Sequence, residues 1–425
     1  MRPWPALKFP ALLLPALLPF ALPAQAQDAG GMRLTFGIEA RVETASNLGL
    51  EVPAEPRTTQ ASTRLSFGFL TETPSQRLSF DASAALRAAS GPNTGAAQTG
   101  LTDPRAALSY RQETASAAVV LTGRISEADI AFLRPLDDFV NEEGEIELPA
   151  DLEDLTGTGL RRSQDLSAGI DWGTDRAVGL GLTASTSALR YSKAGPGLFD
   201  SRRDSLSARM RLSFSEVTEA TLEASTSRFD DDAPLSPQRR TTSLELGLVH
   251  SRPDGALSAR LNRTRTEDGP RTTLSFGRSF DLPLGALSAS LGATRGVTGK
   301  TGLTGALDYR HDGPDGSLSL GFRRALEPGN DDTERQVTAL RIGYSHALGA
   351  ATTLGTTFSY VSSQDTATGL GVDNGSLGVT LSHQLTPDWT LDTGLRHDLR
   401  DEDGLGRAKG NTLFLSLRRS FDTRF

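Results

Sequence analysis

The sequence predicts an all-β fold: a single antiparallel transmembrane β-barrel of about 20 strands (roughly 18 to 22), with no plug domain. Three observations predict it. Apolar and polar residues alternate with a period of two in segment after segment. The links between segments are alternately short and long. The hydrophobic content, 37%, is below the roughly 45–50% of ordinary globular domains, so the chain builds something that needs little buried core.

Composition removes several classes first. The 425 residues carry 44 Lys+Arg against 52 Asp+Glu, a net charge of −8, so there is no excess positive charge to displace counterions from nucleic acid. The 43 glycines argue against a helical bundle, and the absence of cysteine excludes disulfides, thiolate metal sites and a lipidated-cysteine anchor.

The first element is an export signal over residues 1–26. Arg2 and Lys8 supply positive charge, Ala11–Leu22 is apolar, and Ala24-Gln25-Ala26 has the small-x-small pattern of a cleavage site at Ala24 and Ala26. The apolar run is too short for a membrane helix, and Pro15, Pro19 and Pro23 interrupt it.

Residues 27–425 then repeat one pattern. Met32, Leu34, Phe36, Ile38, Ala40 and Val42 share a parity; Arg33, Thr35, Gly37, Glu39, Arg41 and Glu43 share the other. The pattern returns at 58–71, 77–89, 104–112, 116–127, 161–172, 177–190, 203–214, 219–229 and 240–250. It continues at 256–266, 271–282, 286–296, 301–310, 317–326, 335–346, 352–362, 374–385, 389–399 and 411–425. Such segments match the ~9–11 residues that a tilted strand needs to cross a bilayer. Links such as Pro74-Ser75-Gln76 and Pro253-Asp254-Gly255 are short; Ala45–Arg57, Ser90–Asp103 and Arg400–Gly410 are long. Short turns at one end and long loops at the other are the outer-membrane plan, which puts strand one and the C-terminus at the periplasmic side.

Aromatic placement gives the same orientation. Tyr110, Trp172, Phe214, Phe280, Tyr309, Tyr344 and Trp389, with Phe421 and Phe425, fall on the apolar parity beside the short turns or the C-terminus, as a periplasmic girdle would. The polar parity would face water. It carries Ser, Thr and Gly with Arg41, Arg64, Arg87, Arg124, Arg209, Arg211, Arg260, Arg323, Arg341, Arg396 and Arg418 as lumen-lining candidates. Glu39, Asp165, Asp171, Glu223, Glu245, Asp308 and Asp392 share that face, so cross-strand ion pairs that merely stiffen the wall are the competing reading.

Ala128–Gly159 is the longest connection. It holds Asp137, Asp138, Glu142, Glu143, Glu145, Glu147 and Asp151 among its acids, and also Ile130, Phe132, Leu133, Leu136, Phe139 and Val140, which a purely solvated loop would not need. It either folds inward as a constriction or lies outside as a lid. Inward, its acids would face the arginines across a narrow aperture. Outside, the arginine wall would favour anions.

No catalytic apparatus is expected. His250, His346 and His383 sit at periplasmic strand ends, His311 in a turn and His397 near an outer end, with no second histidine at metal-ligand spacing. Ser345-His346 and Ser382-His383 are strand neighbours that point to opposite faces. There is no nucleophile elbow or nucleotide fingerprint, so no cofactor and no metal are expected. Asp230-Asp231-Asp232, Asp331-Asp332 and Asp401-Glu402-Asp403-Gly404 lack complete calcium-loop spacing and read as solvated charge or as bridges to lipopolysaccharide cations.

The last strand, with Leu413, Leu415, Leu417, Phe421 and a terminal Phe425 on one parity and Arg419 and Thr423 interrupting, resembles the C-terminal signature of bacterial outer-membrane proteins. That resemblance implies recognition of Phe421 and Phe425 by the barrel-assembly machinery. The whole mature chain looks like a porin-type barrel, and Glu43-Thr44-Ala45-Ser46-Asn47-Leu48 is similar to β-barrel porins of uncharacterised function, some of which accompany exopolysaccharide systems. The expected location is the bacterial cell outer membrane. The expected partners are outer-membrane lipid and lipopolysaccharide, the barrel-assembly machinery and periplasmic chaperones, with no nucleic acid. The favoured function is passive diffusion of small hydrophilic solutes. An export conduit for exopolysaccharide, or a structural or adhesive barrel with a closed lumen, are the alternatives.

Overall fold

The computed structural model describes residues 31–91, 100–130, 136, 159–193, 198–234, 238–328 and 334–425. The expected cleavage site at Ala24 and Ala26 lies outside them, as do Asp137, Asp138, Glu142, Glu143, Glu145, Glu147 and Asp151 of the acidic connection.

Twenty strands follow one another along the chain. The first ten are β1 (Gly31–Ser46), β2 (Thr58–Thr73), β3 (Gln76–Ser90), β4 (Gly100–Glu113), β5 (Ala117–Asp129), β6 (Leu160–Trp172), β7 (Val178–Ser192), β8 (Ser201–Ser215), β9 (Thr218–Asp231) and β10 (Arg239–Arg252). The rest are β11 (Gly255–Thr266), β12 (Gly269–Leu282), β13 (Gly285–Arg295), β14 (Thr301–Gly313), β15 (Gly316–Pro328), β16 (Glu334–Gly349), β17 (Thr352–Asp365), β18 (Gly371–Gln384), β19 (Trp389–Glu402) and β20 (Gly406–Arg424). Each pairs antiparallel with its sequence neighbours, and β20 returns to pair with β1 from Arg33↔Arg424 to Ser46↔Asn411. The sheet is therefore closed, as the alternation predicts. Twenty strands spaced ~4.8 Å apart and tilted ~40° enclose a cylinder about 40 Å across, backbone to backbone.

The strands run past the limits that alternation alone sets. β20 begins at Gly406 rather than 411, so the link after β19 is short. His311 lies in β14 and not in a turn; its ring stacks on Tyr309 at 6.4 Å between centroids. The paired backbone reaches beyond the segment that must be apolar on one side, so period two fades before the strand ends.

The two faces differ as the pattern requires. Exposed apolar side chains such as Phe36, Leu65, Leu166, Leu246, Leu291 and Leu377 cover the outside. Phe36, Phe67 and Phe80 form a tilted aromatic row across β1, β2 and β3, with centroid spacings of 5.2 and 6.2 Å. Among the described residues, the buried apolar side chains are Ala45, Leu50, Ala85, Ile130, Leu136, Val361, Val372 and Ala408. The low hydrophobic content follows directly: lipid covers the outer face, and no central core has to be filled.

Three of the short turns share a Pro-x-Gly form: Pro253-Asp254-Gly255, Pro283-Leu284-Gly285 and Pro314-Asp315-Gly316. Proline presets the turn. The glycine lets two backbones meet: an added Cβ would sit 2.1 Å from the Ser279 carbonyl oxygen at Gly255 and 1.9 Å from that of Arg310 at Gly285.

At the other end, the loop after β1 is organised by Asn47. This residue adopts a left-handed conformation (φ 50°) and is almost fully buried. Its Oδ1 accepts from the backbone N–H of Glu51 (3.0 Å) and Glu55 (3.1 Å), and its Nδ2 donates to the carbonyls of Glu51 (3.0 Å) and Lys409 (3.3 Å). One amide thus ties the first loop to the last strand. Asn47→Ala is expected to cost about 5 kcal/mol, from four lost hydrogen bonds at ~1 kcal/mol each and a left-handed alanine at ~1 kcal/mol. Asn47→Gly, which accepts that φ, should cost less. The temperature at which the folded, fast-migrating gel band disappears measures both; equal values for wild type and Asn47→Ala would contradict this role.

Candidate functional site

The lumen wall is the candidate site, because it is where a wide polar surface meets ionisable side chains. Strand register puts Arg41, Arg64, Arg87, Arg124, Arg209, Arg211, Arg260, Arg323, Arg341, Arg396 and Arg418 all on the polar face. Thus Arg64 stands opposite Glu39, Arg124 opposite Asp165, Arg209 opposite Gly181 and Arg341 opposite Gly321. Most of them are held by acids of the same face. Arg41 bonds Glu43 (2.7 Å), Arg209 bonds Glu223 (3.1 Å) and Arg260 bonds Glu245 (2.9 Å). Arg396 bonds Asp398 (2.8 Å) and Arg418 bonds Asp392 (3.5 Å), while Arg87 pairs with Asp103 and Arg323 with Glu327. Arg211 approaches Glu219 (3.5 Å) and donates to the carbonyls of Gly173 (2.8 Å) and Arg176 (2.9 Å) in the β6–β7 turn, so it also fastens the wall's lower edge. Ion pairing therefore cancels much of the fixed positive charge that the arginines alone would give.

The wall is not uniform. Arg209, Arg260 and Arg323 are largely exposed to the lumen, whereas Arg87, Arg396 and Arg400 are buried. On the same inner face Ser359, Asn374, Thr412, Ser416 and Glu43 are buried too, over the arc from β17 through β20 to β1. The Asn374 amide is buried, and among the described residues neither its oxygen nor its nitrogen has a hydrogen-bond partner. The packing of Leu136 bears on this arc. This residue of the β5–β6 connection is 3% exposed and packs on Val361, which is 0% exposed, and on Ala339. Val361 and Ala339 are cross-strand partners on the polar face of β17 and β16. In a ring of twenty strands, β16–β17 lies almost diametrically opposite β5–β6. The chain at Leu136 has thus crossed the lumen and seated an apolar side chain on the far wall.

At the long-loop mouth a second contact spans the strands. Arg271 of β12 donates from Nε to Glu334 Oε1 at the start of β16 (2.9 Å), and both are buried. The Val297 backbone N–H points at the same Glu334 oxygen (3.4 Å), so one carboxylate gathers β12, the β13–β14 turn and β16.

The aromatic residues Tyr110, Trp172, Phe214, Phe280, Tyr309, Tyr344 and Trp389 lie on the lipid-facing parity near the short turns. For example, Tyr110 is paired with Leu78, Trp172 with Leu180 and Tyr344 with Leu318. Phe421 is opposite Phe36, and the Phe425 backbone exchanges hydrogen bonds with Met32 (2.9 and 3.2 Å). Arg419, which interrupts the apolar parity of β20, is accommodated at this rim: its guanidinium lies over Phe421 (4.3 Å) and Trp389 (5.3 Å) and reaches Asp388 (3.6 Å). Arg278 does likewise over Phe280 (4.5 Å), and its hydrogen bond to Asp254 in the β10–β11 turn (2.6 Å) holds that carboxyl below the usual aspartate range.

Sequence reasoning missed Phe414, whose ring lies under Arg41 at 4.0 Å on the inner face; an aromatic residue on a polar parity was the available signal. It also missed Arg271–Glu334, which no local pattern announces.

No protein-family model and no curated protein matches the sequence. Solved structures do match the fold. The chain is similar to the ferric enterobactin receptor PfeA of Pseudomonas aeruginosa, with 14% identity and a TM-score of 0.50, covering 90% of this chain and 80% of that one. It is similar also to the FrpB iron transporter of Neisseria meningitidis, with 10% identity and a TM-score of 0.50 over 93% and 82% of the two chains. The fold is that of a bacterial outer-membrane β-barrel.

Glu334→Ala leaves Arg271 buried without its partner and is expected to cost about 3–5 kcal/mol. The double change Arg271→Met with Glu334→Leu should recover much of that loss. Thermal gel shift reads both; a single variant that melts with wild type would show that the mouth contact contributes nothing.

Proposed function

We propose that this chain is an outer-membrane channel for passive diffusion of small hydrophilic solutes, its lumen narrowed by the connection that carries Leu136. Its role is transport and not catalysis. The observation that carries this reading is the seat of Leu136 on Val361 within a polar, ion-paired wall. A barrel about 40 Å across with nothing inside it would pass large solutes. With Leu136 seated on the β16–β17 wall, the connection that carries it would divide that space and set a size limit.

Charge then sets selectivity. The wall arginines are mostly paired, while the sequence from Phe132 to Asp154 is rich in Asp and Glu. Acids close to the aperture would oppose anion entry, and the exposed Arg209, Arg260 and Arg323 would favour it. Small zwitterionic or weakly charged solutes suit such a lining better than strongly anionic ones.

The siderophore-receptor likeness concerns the fold and carries no cargo with it. Planar-bilayer conductance is the test. The wild-type barrel should give steady single-channel conductance. Leu136→Asp and deletion of Phe132–Asp154 should each raise it, and the deletion should move the reversal potential in a salt gradient toward anions. A wild-type barrel without conductance would overturn the channel. Two variants with unchanged conductance would overturn the narrowing.

A further inference from the structure

A band of arginine lies on the lipid-facing side of the barrel. Arg162, Arg190, Arg202, Arg228, Arg240 and Arg263 sit one on each of six consecutive strands, β6 to β11, near their long-loop ends. Each is on the parity of the lipid-facing apolar residues: Arg162 with Leu166 and Ile170, Arg202 with Leu206 and Met210, Arg240 with Leu244 and Leu246, Arg263 with Leu257 and Leu261. All six are exposed.

Their height can be estimated. Trp172 and Arg162 lie ten residues apart on β6. At a rise of ~3.3 Å per residue and a tilt of ~40° that is about 25 Å along the membrane normal, the height of the apolar band of such barrels. Trp172 marks one interface, so Arg162 stands at the other, the side of the long loops. Arginine there costs roughly 0–1 kcal/mol, against ~2–4 at the midplane, which explains why it is tolerated but not why it is gathered.

The register supplies the second observation. Arg162 is directly opposite Arg190, and Arg228 directly opposite Arg240. Like charges facing each other across a strand pair repel. Arg162, Arg202 and Arg228 have acidic partners in Glu127 (2.6 Å), Asp204 (2.9 Å) and Asp230 (3.2 Å). Among the described residues, the guanidinium groups of Arg190, Arg240 and Arg263 make no ion pair; that of Arg240 reaches Thr226 Oγ1 (3.4 Å), while the Arg240 backbone N–H donates to Glu267 Oε1 (2.9 Å). Of the 44 basic residues only Lys8, Lys193, Lys300 and Lys409 are lysines, so the chain places planar, bidentate donors nearly everywhere it places positive charge.

We propose that the outer surface of β6–β11 at the long-loop end binds the phosphate groups of an acylated lipid of the outer leaflet. Phosphate oxygens between Arg162 and Arg190 and between Arg228 and Arg240 turn two repulsions into bidentate contacts, while the acyl chains lie on the leucines below. The partner is a membrane lipid and not free phosphate, because the site opens sideways onto the apolar belt.

The test is binding of bis-phosphorylated lipid A to the delipidated, folded barrel in detergent, read by native mass spectrometry. The triple variant Arg190→Gln, Arg240→Gln, Arg263→Gln should bind at least tenfold more weakly, and the Arg→Lys triple should recover part of the loss. Arg209→Gln with Arg260→Gln, in the lumen, should bind as wild type. Dephosphorylated lipid A should bind weakly to all forms, and millimolar inorganic phosphate should not displace the lipid. If the triple variant fails to give the folded gel band, single Arg190→Gln takes its place with a smaller loss. Equal binding by variant and wild type, equal binding of dephosphorylated lipid A, or displacement by inorganic phosphate would each overturn the proposal.

Discussion

The backbone hydrogen bonds of a strand in a bilayer have no water to fall back on, so each must be made to another strand. Every strand must have two neighbours, and the sheet has an end unless the last strand meets the first. The pairing of β20 with β1, from Arg33↔Arg424 to Ser46↔Asn411, removes that end. Closure then fixes the two faces. Residues of one parity meet lipid and are apolar; residues of the other meet the lumen and are polar. The same closure places Phe421 and Phe425 beside β1, with Phe425 completing the last backbone pair through Met32.

A closed ring of twenty strands creates a second problem, because its interior is too wide for wall side chains to fill. The chain answers with a segment from its own wall. Leu136 packs on Val361 and Ala339 across the ring; on the inner face residues of β17 to β20 and β1 are buried, while the arginines of β8, β11 and β15 are open. The lumen therefore has a covered side and an open side. In the proposed channel, polar solutes would meet the open side, where exposed guanidinium groups stand beside the acids that hold them.

Much of this was legible in the sequence, for a physical reason. A membrane strand writes its orientation into consecutive residues, so alternation over 32–44 or 203–214 gives both strand and face, and register carries all eleven wall arginines to the same side. The apolar residues within the acidic connection after β5 were a local sign too, since Leu136 and Ile130 are buried. Strand ends were not legible where β20 extends through Gly406–Gly410, because paired backbone outside the membrane needs no alternation. His311 was misplaced in a turn for the same reason. Arg419 breaks the apolar parity of the last strand, and its partners, the rim aromatics and Asp388, are visible only in three dimensions. Arg41–Phe414 joins the first strand to the last and exists only because the barrel closes, and Arg271–Glu334 joins strands four places apart in the wall, so neither is written in a local pattern.

The seat of Leu136 on the far wall can be measured directly, because the chain contains no cysteine. Leu136→Cys and Val361→Cys introduced together should form a disulfide in the assembled barrel. It would be seen as a reducible mobility difference and as loss of both thiols to a maleimide label. Leu136→Cys paired with Phe358→Cys, on the lipid-facing parity of the same strand, should not form one. A disulfide confined to the first pair is the predicted result. Free thiols at both positions of the first pair under oxidising conditions, in a folded barrel, would show that Leu136 does not sit on Val361.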